Sequence, residues 1–102
     1  MMAKKPAESR DCAAFEHAPH IVWRRVDQEA VLLDTETSEY YSLNPVSTEI
    51  WERLGKGETV GDVARSLSSD FGEDEARVAR DAREFISDLL KEGLLLPREP
   101  ER

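Results

Sequence analysis

Cysteine is nearly absent from this chain of 102 residues: Cys12 stands alone. An intrachain disulfide is thereby excluded, and so is a thiolate cluster able to hold zinc or an iron–sulfur centre. Long apolar runs are missing too, and nothing approaches the roughly 20 residues that span a bilayer. The N-terminal stretch MMAKKPAESRDCAAFEHAP has basic residues at its front but lacks the apolar middle of a secretory signal. The expected location is therefore cytoplasmic, with no membrane partner. Positive charge is the third shortage: 14 basic residues stand against 22 acidic ones, no block of lysine or arginine occurs, and the formal charge is −8. Nucleic-acid binding draws most of its affinity from neutralised phosphates, so this balance argues against a nucleic-acid partner.

Catalytic signatures are scarce as well. There is no phosphate-cradling glycine loop, no H-E-x-x-H and no nucleophile elbow, and the five glycines fall where turns or helix caps want them. His17 and His20 lie in the same weakly patterned region as Cys12, and nothing else completes a catalytic pair. The run Glu73, Asp74, Glu75 is accounted for by the dipole of a helix that starts there. Arg77, Arg80 and Arg83 recur three apart with Asp81 and Glu84 interleaved, the pattern of a solvated helix face. No catalytic set is found, and neither a cofactor nor a metal is expected.

What is present is a globular pattern, 39% hydrophobic and 35% charged, at a length suited to one domain. Residues 1–18 read as a tail, 19–97 as the domain and 98–102 as a second tail. From Ile21 the runs IVWRRV, AVLLD and EYYSL are rich in β-branched and aromatic residues and are separated by DQE and TETS. Gaps this short predict an antiparallel meander of three strands. Asn44-Pro45 supplies a helix cap and a first-turn proline, and Val46, Ile50 and Leu54 with Trp51 beside them form an apolar stripe. Thr59 with Asp62 resembles a capping box ahead of Val60, Val63, Ala64, Leu67 and Phe71, and Gly72 ends that helix. A third helix runs from near Asp74 to Glu92 on Val78, Ala82, Phe85, Ile86, Leu89 and Leu90, with Gly93 as its cap. LLLP (94–97) is an extended exit. The predicted fold class is α+β, a three-stranded antiparallel sheet followed by three helices.

Alternation along EYYSL sends Glu39, Tyr41 and Leu43 to one face and Tyr40 and Ser42 to the other. As the last strand of the meander it has one edge without a partner, beside a helix, where a peptide can dock. The same open edge makes a monomer or a weak homodimer the expected state.

The succession VLLD…YYSLNPVS…IW, then GETVGDVARSL, then FISDLLKEGLL resembles the PqqD family, also called the RiPP recognition element, over roughly residues 20–96. The resemblance implies a winged helix-turn-helix arrangement and binding rather than catalysis. The leader segment of a ribosomally made precursor peptide would add as a strand to the third strand and lie against the third helix. A separate modifying enzyme, a radical SAM protein or a leader peptidase, would act on the rest of the precursor. Carried over by position, the docking edge is Tyr40, Tyr41, Ser42 and Leu43, and the opposing wall carries Arg77, Asp81 and Glu84. The other flank of that helix, with Arg83, Ile86 and Leu90, is the second option for the wall. A glycine-rich segment usual before L-N in the pyrroloquinoline quinone member is replaced here by DTETSEYYSLN, so the chain resembles the lasso-peptide or radical-SAM recognition proteins at least as much. The competing reading is a winged-helix DNA-binding regulator using Arg77, Arg80 and Arg83.

Overall fold

Each helix begins where a side chain can satisfy its free amides. In the computed structural model, which describes residues 14–98, the Asn44 Oδ1 accepts from the Ser47 N–H at 2.8 Å and Pro45 takes the first position of α1 (Pro45–Gly55). Thr59 and Asp62 form the reciprocal capping box of α2 (Val60–Phe71). Asp74 accepts from the Arg77 N–H at 3.1 Å at the start of α3 (Glu75–Lys91). Such a cap contributes about 1 kcal/mol. Gly72, at φ 66, takes the left-handed conformation that stops α2 and lets α3 turn back.

Five strands accompany them: β1 (Ala14–His17), β2 (Ile21–Val26), β3 (Glu29–Asp34), β4 (Tyr40–Leu43) and β5 (Leu95–Arg98). Strands β2, β3 and β4 form the expected antiparallel meander in that order. Its register sets Leu32 between Trp23 and Tyr41 and pairs Ala30 with Leu43. Ile21, Ala30, Leu32 and Leu43 therefore point one way and are buried against Ile50, Trp51 and Leu54 of α1 and Ile86 and Leu89 of α3. Three helices on one face of a three-stranded sheet is the α+β arrangement that the pattern predicts.

Two boundaries differ from the sequence reading. Residues 14–17, expected in the tail, form β1, and part of the expected exit forms β5. The two pair antiparallel, with Phe15 opposite Pro97 and His17 opposite Leu95. The cause is burial: Phe15, Ala18, Leu94 and Leu95 all enter the core. His17 closes the joint. Its ring stacks on Trp51 with centroids 3.6 Å apart and planes 4° from parallel, and its Nε2–H donates to the Trp51 carbonyl at 2.8 Å. Gly55 permits this approach, since a Cβ there would lie 2.5 Å from His17 Cε1. Cys12 lies outside the described residues.

Candidate functional site

Strand β4 is positioned by a carboxylate. Asp34, buried at the end of β3, accepts from the Glu36 and Thr37 amides at 2.9 and 3.1 Å, and its carbonyl accepts from the Ser38 N–H. Burial alone would raise its pKa, but the amides of Thr37 and Glu36, together with His20 at 3.6 Å, outweigh it and hold the carboxyl below its ordinary value. The turn so formed delivers the chain into β4 with Ser38 at φ 68.

The ladder then decides which backbone groups are free. The Asp34 N–H donates to the Glu39 carbonyl at 2.9 Å, so residues 34 and 39 form a hydrogen-bonded pair. In an antiparallel ladder such pairs alternate with non-bonded ones. Tyr41 and Leu43, opposite Leu32 and Ala30, therefore spend their N–H and C=O on β3. Tyr40 and Ser42, opposite Leu33 and Val31, direct theirs to the open edge. Side chains divide the same way: Leu43 is buried and Tyr41 half-buried, while Tyr40 is 68% exposed and Ser42 lies in solvent. The four residues taken together from sequence as a docking edge thus split into two outward-facing and two anchoring positions.

One side chain links β4 to the C-terminal end of α3. The Tyr41 hydroxyl bonds Glu39 at 3.0 Å and reaches Glu92, just past the end of α3, at 3.4 Å. These carboxylates and partial burial push the phenol up to about 12, with the Glu39 bond the largest cause. Val46, in the first turn of α1 and three residues past β4, lines a cleft with Arg77, Val78 and Asp81 of α3. The cleft holds about 320 Å³, and Ile50, Leu67 and Phe71 complete its apolar lining. Here the helical pattern misleads, because Val46 and Phe71 were expected in the core stripes yet are 45% and 49% exposed. These two large apolar side chains border one depression, which makes it a candidate binding surface.

Arg77 and Asp81 stand in this cleft, whereas Glu84 lines a different one on the far flank of α3, with Arg80, Arg83, Ile86 and Leu90. The wall predicted from sequence is therefore divided between two clefts. No residue of β4 or α1 lines the second. The arginines do not form a bare cationic face either. Arg77 pairs with Glu73 at 3.8 Å, Arg80 with Asp81 at 4.0 Å, and Arg83 is already engaged with a neighbour. With a charge of −8 around them, they make a poor reader of phosphates. Among the described residues no group of three metal-ligating side chains is placed to hold an ion, and no helix is long and apolar enough to cross a membrane.

Residues 29–95 match the family model described as coenzyme PQQ synthesis protein D, PqqD. Two solved structures are similar in sequence and shape. One is a lasso peptide synthetase B1 complexed with the leader peptide, 33% identical with a TM-score of 0.77 over 83% of this chain and 100% of that one. The other is TbiB1 in complex with the TbiA(beta) leader peptide, 29% identical with a TM-score of 0.74 over 78% of this chain and 93% of that one. No curated protein matches.

Proposed function

This chain belongs to the PqqD family, and we propose from that premise that it binds the leader segment of a ribosomally made precursor peptide and holds it for a separate modifying enzyme. The observation that carries the reading is the open edge of β4, where the N–H and C=O groups of Tyr40 and Ser42 face outward; three residues past the strand, Val46 lines an apolar cleft in which Phe71 is also exposed. A strand added there satisfies those groups, and main-chain bonding supplies affinity without regard to sequence. Selectivity comes from the cleft, which has room for a large apolar side chain. Glu73, Arg77 and Asp81 stand around it and favour a peptide that brings a cation. Similarity to B1 proteins complexed with leader peptides supports a lasso-type precursor, and the second protein is the modifying enzyme that acts on it, a leader peptidase or a radical SAM protein. The chain's part is to hold and present, with no bond made or broken by its own residues.

The test is a backbone-amide NMR titration with the leader of a precursor peptide encoded beside the gene. Saturable shifts on residues 39–46 and on Arg77, Val78 and Asp81 are expected, with affinity in the micromolar range or tighter. Shifts restricted to the far flank of α3 would refute the assigned site, and no shifts at all would refute the function.

A further inference from the structure

The helices cover one face of the β2–β3–β4 sheet and leave the other to solvent. An antiparallel sheet with one wet face ordinarily turns polar residues toward the water. Here the outward positions are largely apolar. Register sets Val22, Leu33 and Tyr40 side by side in one row across the three strands, and Arg24, Val31 and Ser42 in the next. Val26, opposite Glu29, continues the face along β2. Val22 is 58% exposed, Val26 55%, Val31 41% and Tyr40 68%.

This face is continuous with the edge assigned to the leader. Tyr40 and Ser42 direct their backbone groups to that edge and their side chains to this face. A leader strand added at β4 becomes the fourth strand of the sheet. Its residues opposite Tyr40 and Ser42 then put their side chains on the same face and lengthen both rows. A protein seated here touches sheet and leader at once. Size and charge choose between occupants. Three strands about 4.8 Å apart and about 18 Å long present on the order of 250 Å², well under the roughly 800 Å² per partner of a stable interface. Two copies meeting face to face would bury too little, and a charge of −8 on each opposes their approach. A partner that reaches past the sheet onto the leader has no such ceiling.

We propose that the exposed face of the β2–β3–β4 sheet is the docking surface for the modifying enzyme, which seats an apolar patch on Val22, Val31, Leu33 and Tyr40 and contacts the outward side chains of the docked leader beside them. The inference rests on the leader reading and adds to it a surface for the second protein. Because the leader forms part of that surface, the loaded chain binds the enzyme more tightly than the empty one. By linkage the enzyme tightens the leader by the same factor.

The probe is the leader peptidase or radical SAM protein encoded beside the gene, added unlabelled to the full chain carrying methyl-labelled valine and leucine, with and without the leader. Loss of methyl signal is expected at Val22, Val26, Val31 and Leu33, with the enzyme binding the loaded chain about tenfold or more tightly than the empty one. The double variant V22E/V31E should weaken the enzyme by about tenfold or more. Leader affinity measured without the enzyme should not change, since neither side chain belongs to β4 or lines the cleft beyond it. V22T/V31T, which keeps the β-branched shape, gives the same comparison in smaller measure should the first variant misfold. Normal leader binding with signal loss elsewhere, with equal enzyme affinity for loaded and empty chains, or with enzyme affinity unmoved by either variant would overturn the inference and leave the leader reading intact. Self-association through these valines, seen by sedimentation and abolished in V22E/V31E, would assign the face to a second copy and overturn it as well. Absence of leader binding would refute the leader reading, and the inference would fall with it.

Discussion

Proline at Ser42 separates docking from folding. The Ser42 N–H faces the open edge and the side chain lies in solvent, so the substitution removes no ladder bond and no core contact. Tyr41 before it is already extended, as a residue preceding proline must be. Stability should therefore stay within about 1 kcal/mol of the parent. A docked strand, by contrast, loses one N–H···O=C bond and is left with a carbonyl that is desolvated and unpartnered. The bond is worth about 1 kcal/mol net and the orphaned acceptor adds a cost of similar size, so leader affinity should fall by about 2 kcal/mol, roughly thirtyfold in Kd. Calorimetric titration with the leader gives the second number and thermal unfolding the first. The control is Tyr41→Pro, whose lost N–H is spent on β3, and which should destabilise the fold itself. A Ser42→Pro variant that folds normally and binds the leader within about twofold of the parent would show that peptide docking does not use this edge.

Phe71→Ser takes an exposed ring from the cleft that Val46 and Arg77 also line, and is expected to leave the melting temperature nearly unchanged while weakening the leader by about tenfold. Gly55→Ala should change sign with background. In the parent the new Cβ displaces the stacked His17 ring from the Trp51 carbonyl and costs about 1 kcal/mol, whereas in His17→Ala it gains roughly 0.5–1 kcal/mol of helix propensity, as chemical denaturation will read. Burial lowers the His17 pKa below 6.5, only partly offset by its bond to Trp51, so its contribution is full above pH 6.5 and disappears as pH falls through the lower folded value. His17→Gln should flatten that part of the stability profile. The Tyr41 phenol, raised by Glu39 first, should titrate near 12 by ultraviolet absorbance and move back toward 10 in Glu39→Gln; its contribution is complete below the unfolded value of 10 and is lost as pH rises through about 12.

Local chemistry explains what was legible. Asn44-Pro45, Thr59 with Asp62, and Gly72 each act within a few residues, so the helix limits follow from the chain itself. The β2–β3–β4 meander follows from short gaps between β-rich runs, and its open edge from β4 coming last. The β1–β5 pair has no such signature. It joins segments about 80 residues apart, and an alanine-rich stretch with a single aromatic, Phe15, carries too little alternation to announce a strand. The only local hint is Gly55, and what that glycine accommodates is an imidazole 38 positions earlier in the chain.

The site divides along the same line. That β4 could serve as a template was readable from its place in the order of strands, but the direction of each N–H depends on register, which one hydrogen bond between Asp34 and Glu39 establishes. The α3 wall was harder. Helical spacing places Arg77, Asp81 and Glu84 near one another on a wheel, yet the elements packed beside α3 draw the boundary between its flanks. Val46 and Phe71 come to Arg77 and Asp81, while Phe15 and Val60 come to Glu84. Periodicity also counts Val46 and Phe71 as core, since an apolar residue on a stripe looks the same whether the next layer of protein covers it or leaves it open. In this fold the apolar surface that the proposed site uses is what the packing leaves over, and a sequence identifies it only after the neighbours that fail to cover it are known.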